Sequence, residues 1–237
     1  MNRFAFLTDL HIDESFPISV GVDARRNLMA VLKDLHGRGI DEIVLGGDLG
    51  ENESNQWLFD QLRDFRVSLI LGNHDEIQSV SRYFTETQPA LANTLCYTTD
   101  DEYIKRIYLD SSSGKVSKEQ LEWLAIQLMT DKPVVLFIHH CIFAVPSAID
   151  REHFLKNRVE VQQLLEKFQR PVYVFSGHYN LDDVQNVGKV RQFITPAISY
   201  QVTKRADPIE THITTFGYRI VQIEESKLTE KLITLSV

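Results

Sequence analysis

Five apolar runs of strand length, each closed by residue types that bind metals, constrain this chain more than any other feature. Phe4 to Thr8 leads into Asp9 and His11, and Ile43 to Gly47 into Asp48. Val67 to Leu71 breaks at Gly72 and delivers Asn73, His74, Asp75 and Glu76 in succession. Val134 to Ile138 ends in His139 and His140, and Val172 to Gly177 in His178 and Asn180. Packing explains an apolar run but not four polar groups in immediate succession after one. The runs are continuously apolar rather than alternating, which marks strands buried on both faces, as in a parallel sheet covered by helices.

The intervening segments supply those helices. Asp23 stands where an N-cap belongs, ahead of Leu28, Val31, Leu32 and Leu35 at helical spacing, and Gly37 and Gly39 end the element. Leu58, Leu62 and Phe65 give a second apolar helical face, so the chain opens as βαβαβ. Ser79 to Asp101 carries little periodicity and reads as helix fragments and loop, whereas Tyr103 to Leu109 reads as a strand. Ser117 with Gln120 forms a capping box for a helix bearing Leu121, Leu124 and Leu128, and a further helix spans Val159 to Phe168. Beyond His178 the period changes to two, near Val184 to Val187, Val190 to Ile194, Tyr218 to Ile223 and Leu232 to Leu235, which suggests antiparallel strands. The expected fold is α/β, a four-layered αββα sandwich of two mixed β-sheets flanked by helices.

With 237 residues, 43% of them hydrophobic, and no linker, repeat or low-complexity tract, one domain spanning 1–237 is expected. Arg3 is followed at once by Phe-Ala-Phe-Leu, without the layout of a signal peptide, and no apolar run is long enough to span a bilayer. Cys96 and Cys141 are too few for a disulfide framework, so the expected location is cytoplasmic. The formal net charge is -8 and the basic residues do not cluster, which argues against a nucleic-acid footprint. The sequence does not specify an oligomeric state.

Ligands of open α/β folds collect at the carboxyl ends of the strands, where Asp9, His11, Asp48, Asn73, His74, His139, His178 and Asn180 would all lie. Two carboxylates with imidazoles and amides suit two divalent ions such as Mn, Fe or Zn better than Ca, which prefers oxygen shells. A carboxylate shared by two ions about 3.5–4 Å apart gives the geometry for in-line attack of water on a phosphoryl centre. Taken singly, Asp9 and Asp48 could equally be helix N-caps. His140 reads as a packed or supporting residue, and His36, His153 and His212 as surface or loop residues. Phe143, His153 and Tyr179 could line a substrate pocket, although loop aromatics also cover cores. No basic residue stands six positions after either cysteine to cradle phosphate, and the Gly-x-Ser-x-Gly and P-loop motifs are absent.

Asp9-Leu10-His11, Gly47-Asp48, Gly72-Asn73-His74-Asp75, the strand-ending His139 and Gly177-His178-Tyr179-Asn180 together resemble the motif series of the calcineurin-like metallophosphoesterases. Leu109-Asp110-Ser111, Gln120 to Leu124, Thr195 to Gln201 and Gly217-Tyr218-Arg219 look like its class III cyclic-nucleotide phosphodiesterase branch. The resemblance implies one metal on Asp9, His11, Asp48 and Asn180, and a second on Asp48, Asn73, His139 and His178, bridged by Asp48. It implies His74, paired with Asp75, as proton donor to the leaving oxygen or stabiliser of developing charge, with Asn73 and His74 also touching substrate. The implied reaction is hydrolysis of a small phosphoester, a 3',5'-cyclic nucleotide foremost or a phosphomonoester, by metal-activated hydroxide. Two positions depart from the family pattern. Asn180 replaces a His of Gly-His-x-His, and Cys141-Ile142 replace the prolines of His-His-Pro-Pro. An amide oxygen is a weaker ligand than imidazole, so the first metal would bind less tightly, and a non-catalytic binding or scaffolding module is the rival reading.

Overall fold

The computed structural model describes residues 2–84 and 89–237. The chain opens with β1 (Asn2–Leu7), α1 (Ser15–Ser19), α2 (Ala24–Gly37), β2 (Glu42–Leu45), α3 (Asn55–Gln61), β3 (Arg66–Leu69) and the single turn α4 (Ile77–Val80). Next come β4 (Tyr97–Asp100), β5 (Lys105–Leu109), α5 (Lys118–Gln127), β6 (Val134–Ile138), α6 (Ala148–His153), α7 (Arg158–Lys167) and β7 (Val172–Ser176). The remainder is strand: β8 (Asp183–Val187), β9 (Val190–Ile194), β10 (Gln201–Val202), β11 (Thr211–His212), β12 (Thr215–Glu224) and β13 (Lys227–Ser236). Two mixed sheets result, ordered β13-β12-β1-β2-β3 and β4-β5-β6-β7-β9-β8.

Alternation along each strand divides its side chains between layers. In β6, Val135 and Phe137 enter the core shared by the two sheets, while Val134, Leu136 and Ile138 pack with Leu124 of α5 and with Val161 and Leu165 of α7. On the other side, Leu28, Val31, Leu32 and Leu35 of α2 cover the first sheet. The fold is thus the expected αββα sandwich. Phe137 sits at the centre of the inter-sheet core, with ring centroids 5.7 Å from Phe4, 5.8 Å from Phe6, 4.9 Å from Tyr108 and 5.8 Å from Phe175. Tyr97 adds a polar tie between sheets: its hydroxyl donates to Leu69 O at 2.9 Å and accepts from Leu69 N at 3.0 Å.

Local signals act much as their chemistry dictates. Asp23 caps α2 by accepting from Arg26 N at 2.9 Å, and Ser117 caps α5 by accepting from Gln120 N at 3.2 Å. The capping box closes no further, because the Gln120 amide instead bridges the backbone N–H and C=O of Asp110. α3 ends at Gln61, leaving Leu62 and Phe65 buried beyond it. The stretch from Ser79 to Asp101 contains β4, and its residues 85–88 lie outside the described set. β9 pairs antiparallel with β8 but parallel with β7, a correction to the expected antiparallel C-terminal set. Period-two alternation reports a half-buried face and says nothing of strand direction. Among the described residues no helix is long and apolar enough to cross a membrane.

Candidate metal centre

The parallel strands of both sheets end side by side, and hydrogen bonds continue beyond them into the loops. Asp9 N donates to Gly47 O at 3.0 Å, His11 N to Asp48 O at 3.0 Å, and Gly177 N to His139 O at 3.1 Å. The loops are also bent into an uncommon backbone region. Asp9 (φ 54°), His11 (47°), Asp48 (52°), His178 (69°) and Asn180 (50°) all have positive φ, which non-glycine residues rarely adopt without a functional constraint. Tyr179 N donates to Gly177 O at 2.8 Å, so His178 is the centre of a tight γ-turn.

This bending buries Asp9, Asp48, His11, His139 and Asn180. Asp48 Oδ2 lies 3.8 Å from His11 Nε2 and 3.3 Å from His139 Nε2, and Asp9 Oδ1 is likewise 3.8 Å from His11 Nε2. Two sets of ligand atoms therefore share Asp48: Asp9, His11 and Asp48, and Asp48, His139 and His178, the atoms of each lying within 4.8 Å of one another. Each ring has its outer nitrogen engaged elsewhere. His139 Nδ1 is 2.7 Å from Gly46 O, His178 Nε2 is 2.8 Å from His153 O, and His11 Nδ1 is 2.9 Å from Glu14 Oε2. A carbonyl or carboxylate can only accept, so those nitrogens carry the protons and the opposite lone pairs are left for the cluster.

Electrostatics show what the cluster lacks. Among the described residues no Lys or Arg pairs with Asp9 or Asp48, whose charged neighbours are imidazoles and each other. Burial opposes a charged His139, yet Asp48 and Asp9 outweigh it and push this ring up to about 10. Burial also raises Asp9, whereas for Asp48 it is overcome by His139, His11 and His74, which hold the carboxyl well below its usual range. Buried carboxylates of this kind call for a cation. His139 Nε2 and Asn180 Oδ1 are both buried without a hydrogen-bond partner, as expected of atoms kept for a metal. The donor set thus fits divalent ions.

A model of the calcineurin-like phosphoesterase family matches residues 2–180. The chain belongs to that family. It is a metallophosphoesterase, a metal-dependent phosphoric ester hydrolase, in agreement with the resemblance drawn from its motifs. A protein of Fibrobacter succinogenes named as a probable cyclic nucleotide phosphodiesterase is 29% identical over 205 residues, covering 83% of this chain and 79% of its own. The 3',5'-cyclic adenosine monophosphate phosphodiesterase CpdA of Escherichia coli is 27% identical over 239 residues, covering 93% and 85%. The fold matches that of a dimetal phosphatase from Danio rerio with a TM-score of 0.71 at 10% identity, covering 99% of this chain and 98% of that one.

Other residues of the metallophosphoesterase site are not where their place in the chain implied. Asp75 does not pair with His74. Its carboxylate accepts from the backbone N–H groups of Asp48 (2.8 Å), Leu49 (2.9 Å) and Gly72 (2.8 Å), and so ties the second and third strand-end loops together. Burial, and then Asp48, push it up to about 7. The partner of His74 is Glu14, with Nδ1 to Oε2 at 3.1 Å. Tyr179 is fully buried with its hydroxyl donating to Asp150 at 2.8 Å, and Phe143 packs in the core beneath the helices. Neither lines the groove beside the cluster: Phe143 is held in the core, and the γ-turn at His178 sends Tyr179 inward. Asn73 and His74 are exposed and share a groove of about 410 Å³ with Glu14, Phe16, Glu51 and Asn52. His140 is buried against His178, ring centroids 4.0 Å apart, with its Nδ1 3.0 Å from Ser111 Oγ.

Besides Glu14, two residues of the Thr195 to Gln201 stretch that carried no individual role in the sequence adjoin the cluster. Ser199 Oγ donates to Asp9 O at 2.8 Å, and Tyr200 stacks on His11 at 5.6 Å with Phe16 packed edge-on to it at 5.0 Å. Glycine makes the close approach of these loops possible. A Cβ on Gly177 would lie 2.0 Å from Thr8 Oγ1 and 2.3 Å from Asp9 Oδ2. Gly177→Ala is expected to cost about 1–3 kcal/mol in chemical denaturation and to weaken metal uptake. Gly37→Ala, with nothing within 4 Å, is the control and is expected to be neutral or to gain up to about 1 kcal/mol.

Proposed function

We propose that the chain hydrolyses a phosphodiester, a 3',5'-cyclic nucleotide foremost, with two divalent ions at the strand ends. The observation that carries the number of ions is Asp48, whose carboxylate belongs to both ligand sets. In this reading Asp9, His11, Asp48 and Asn180 hold one ion, and Asp48, Asn73, His139 and His178 the other. Imidazole-rich sets of this kind suit Mn, Fe or Zn. When bound, such ions supply Lewis acidity to phosphoryl oxygens and make water acidic enough to attack at neutral pH. Two divalent ions bring +4 and the carboxylates of Asp9 and Asp48 -2, so about +2 faces the phosphate even though the chain carries -8.

His74 is the proton donor in this scheme. Its side chain is 44% exposed beside the cluster, its backbone N–H donates to Asp48 Oδ1 at 3.0 Å, and its hydrogen bond to Glu14 keeps it protonated up to about 9. Support for a cyclic nucleotide comes from the names of the relatives, since the same site chemistry serves many phosphoesters. The non-catalytic alternative rests on Asn180 alone, whereas the carboxylates and rings that a hydrolase needs are otherwise in place. A cytoplasmic location, supported by two buried free thiols, completes the reading.

The test pairs elemental analysis with a substrate panel of cyclic AMP, cyclic GMP, a linear phosphodiester and a phosphomonoester, assayed with Mn²⁺ after chelation. About two ions per chain and a preference for the cyclic diesters are expected; hydrolysis of the monoester alone would overturn the substrate class. Loss of a supporting residue already costs about 10–100-fold in metal affinity or activity, so Asp48→Asn is expected to lose both ions and more than about 10² in turnover. Two tightly held ions in that variant would sink the shared-ligand assignment.

Asn180 Oδ1, buried and unpartnered, retains the means to hold an ion, with lower affinity than an imidazole. A φ of 50° at this position suits Asn and His alike. Asn180→His is therefore expected to lower the Mn²⁺ concentration for half-maximal activity and to slow inactivation by chelators. An unchanged metal dependence would show that Asn180 is not a weakened ligand.

A further inference from the structure

Glu14 stands at the N-cap position of α1, three residues after His11, yet its side chain accepts no hydrogen bond from the helix. Its Oε2 lies 2.9 Å from His11 Nδ1 and 3.1 Å from His74 Nδ1, while its Oε1 is buried without a hydrogen-bond partner. The two rings meet nearly at right angles, 81° apart with centroids at 5.0 Å. Of the other carboxylates near His74, Asp48 accepts from its backbone N–H, Asp75 is spent on three backbone amides, and Glu51 and Glu76 are exposed. One oxygen thus holds the ring that faces Asp9 and Asp48 and the ring that faces the substrate groove.

We propose that Glu14 is a positioning residue that locks His11 and His74 into one unit, so that the metal-facing ring and the proton-donating ring are oriented by the same carboxylate. The inference rests on the reading of His11 as a ligand and of His74 as the proton donor. Because Glu14 takes the Nδ1 proton of each ring, it directs both Nε2 atoms: that of His11 presents its lone pair to the cluster, and that of His74 carries a proton to the substrate. As the oxygen of a water bonds to phosphorus and the bond between phosphorus and the leaving oxygen breaks, the electron pair stays on the leaving oxygen, which takes the Nε2 proton. His74 is left neutral with its remaining proton on Nδ1, still facing Glu14, and its exposed edge regains from solvent the proton that the attacking water gave up. Without the carboxylate, His74 is free to rotate away and His11 to change tautomer.

The test uses the full chain at saturating Mn²⁺, with cyclic AMP, which leaves as an alkoxide, and bis(4-nitrophenyl) phosphate, whose leaving group needs little protonation. His74→Ala is expected to lose roughly 10² to 10⁴ in kcat on cyclic AMP and much less on the nitrophenyl ester. Glu14→Gln is expected to follow the same selectivity with a loss of about 10–100-fold, and to weaken Mn²⁺ binding by titration calorimetry on the same scale. The double variant is expected to be no slower on cyclic AMP than His74→Ala alone, and Glu14→Asp to recover part of both losses. Should Glu14→Gln lower the thermal midpoint, Glu14→Asp carries the comparison. Equal losses on the two substrates, or fully additive losses in the double variant, would overturn the proposal. If His74→Ala is itself indifferent to the leaving group, the role of His74 falls and the coupling falls with it. If His74→Ala is selective and Glu14→Gln is not, Glu14 alone is overturned.

Discussion

Asp9 and Asp48 are two carboxylates buried side by side with, among the described residues, only imidazoles for counter-charge. Removing even one such charge from water is costly unless it is paired or coordinated, and here the described residues neither neutralise the pair with Lys or Arg nor leave it to solvent. The rest of the site is arranged to tolerate that arrangement. Thr8 donates to Asp9 Oδ2 at 2.6 Å, His178 N lies 3.0 Å from the same oxygen, and Asp75 gathers the amides of the neighbouring loops. Backbone in the left-handed region is the visible cost of aiming so many ligand atoms at one small volume.

Such strain persists only where the surroundings fix it. The two sheets press against each other through a run of aromatic rings centred on Phe137, and strands of both sheets contribute loops to the same cluster. A packed aromatic core is nearly incompressible, so the separation of the sheets, and with it the distance from Asp48 to His139, is set by side-chain volume rather than by the loops.

The clustering of the strand-end residues was legible because a strand delivers its last residue to a known edge of the sheet, so sequence position and spatial position coincide there. Orientation was not legible. Asp75 follows His74 directly, yet the turn after Gly72 directs the carboxylate at backbone amides, and Tyr179 sits between two candidate ligands but points into the core. Glu14 carried no signal beyond an acid three residues after a His, which is also how an ordinary helix start looks. Edge strands were faint for another reason: β13 buries only Leu228 and Ile233 of its ten residues, and β4 buries only Tyr97 of its four, so neither shows a sustained apolar face.

The order in which the chain is made bears on the centre it builds. β1 is paired on one side with β2, but its other edge waits for β12, residues 215–224, and the carbonyls of Thr8 and Asp9 wait for Ile198 and Ser199. A nascent chain therefore carries Asp9, His11 and Asp48 for most of its synthesis without the segment that fixes their backbone. Contacts between residues so far apart in sequence form late, after the intervening loops have paid their closure entropy. Completion of the site is thereby a check on completion of the fold: a chain that stalls or is clipped before the last two long strands keeps its motifs and lacks the frame that brings them to bear.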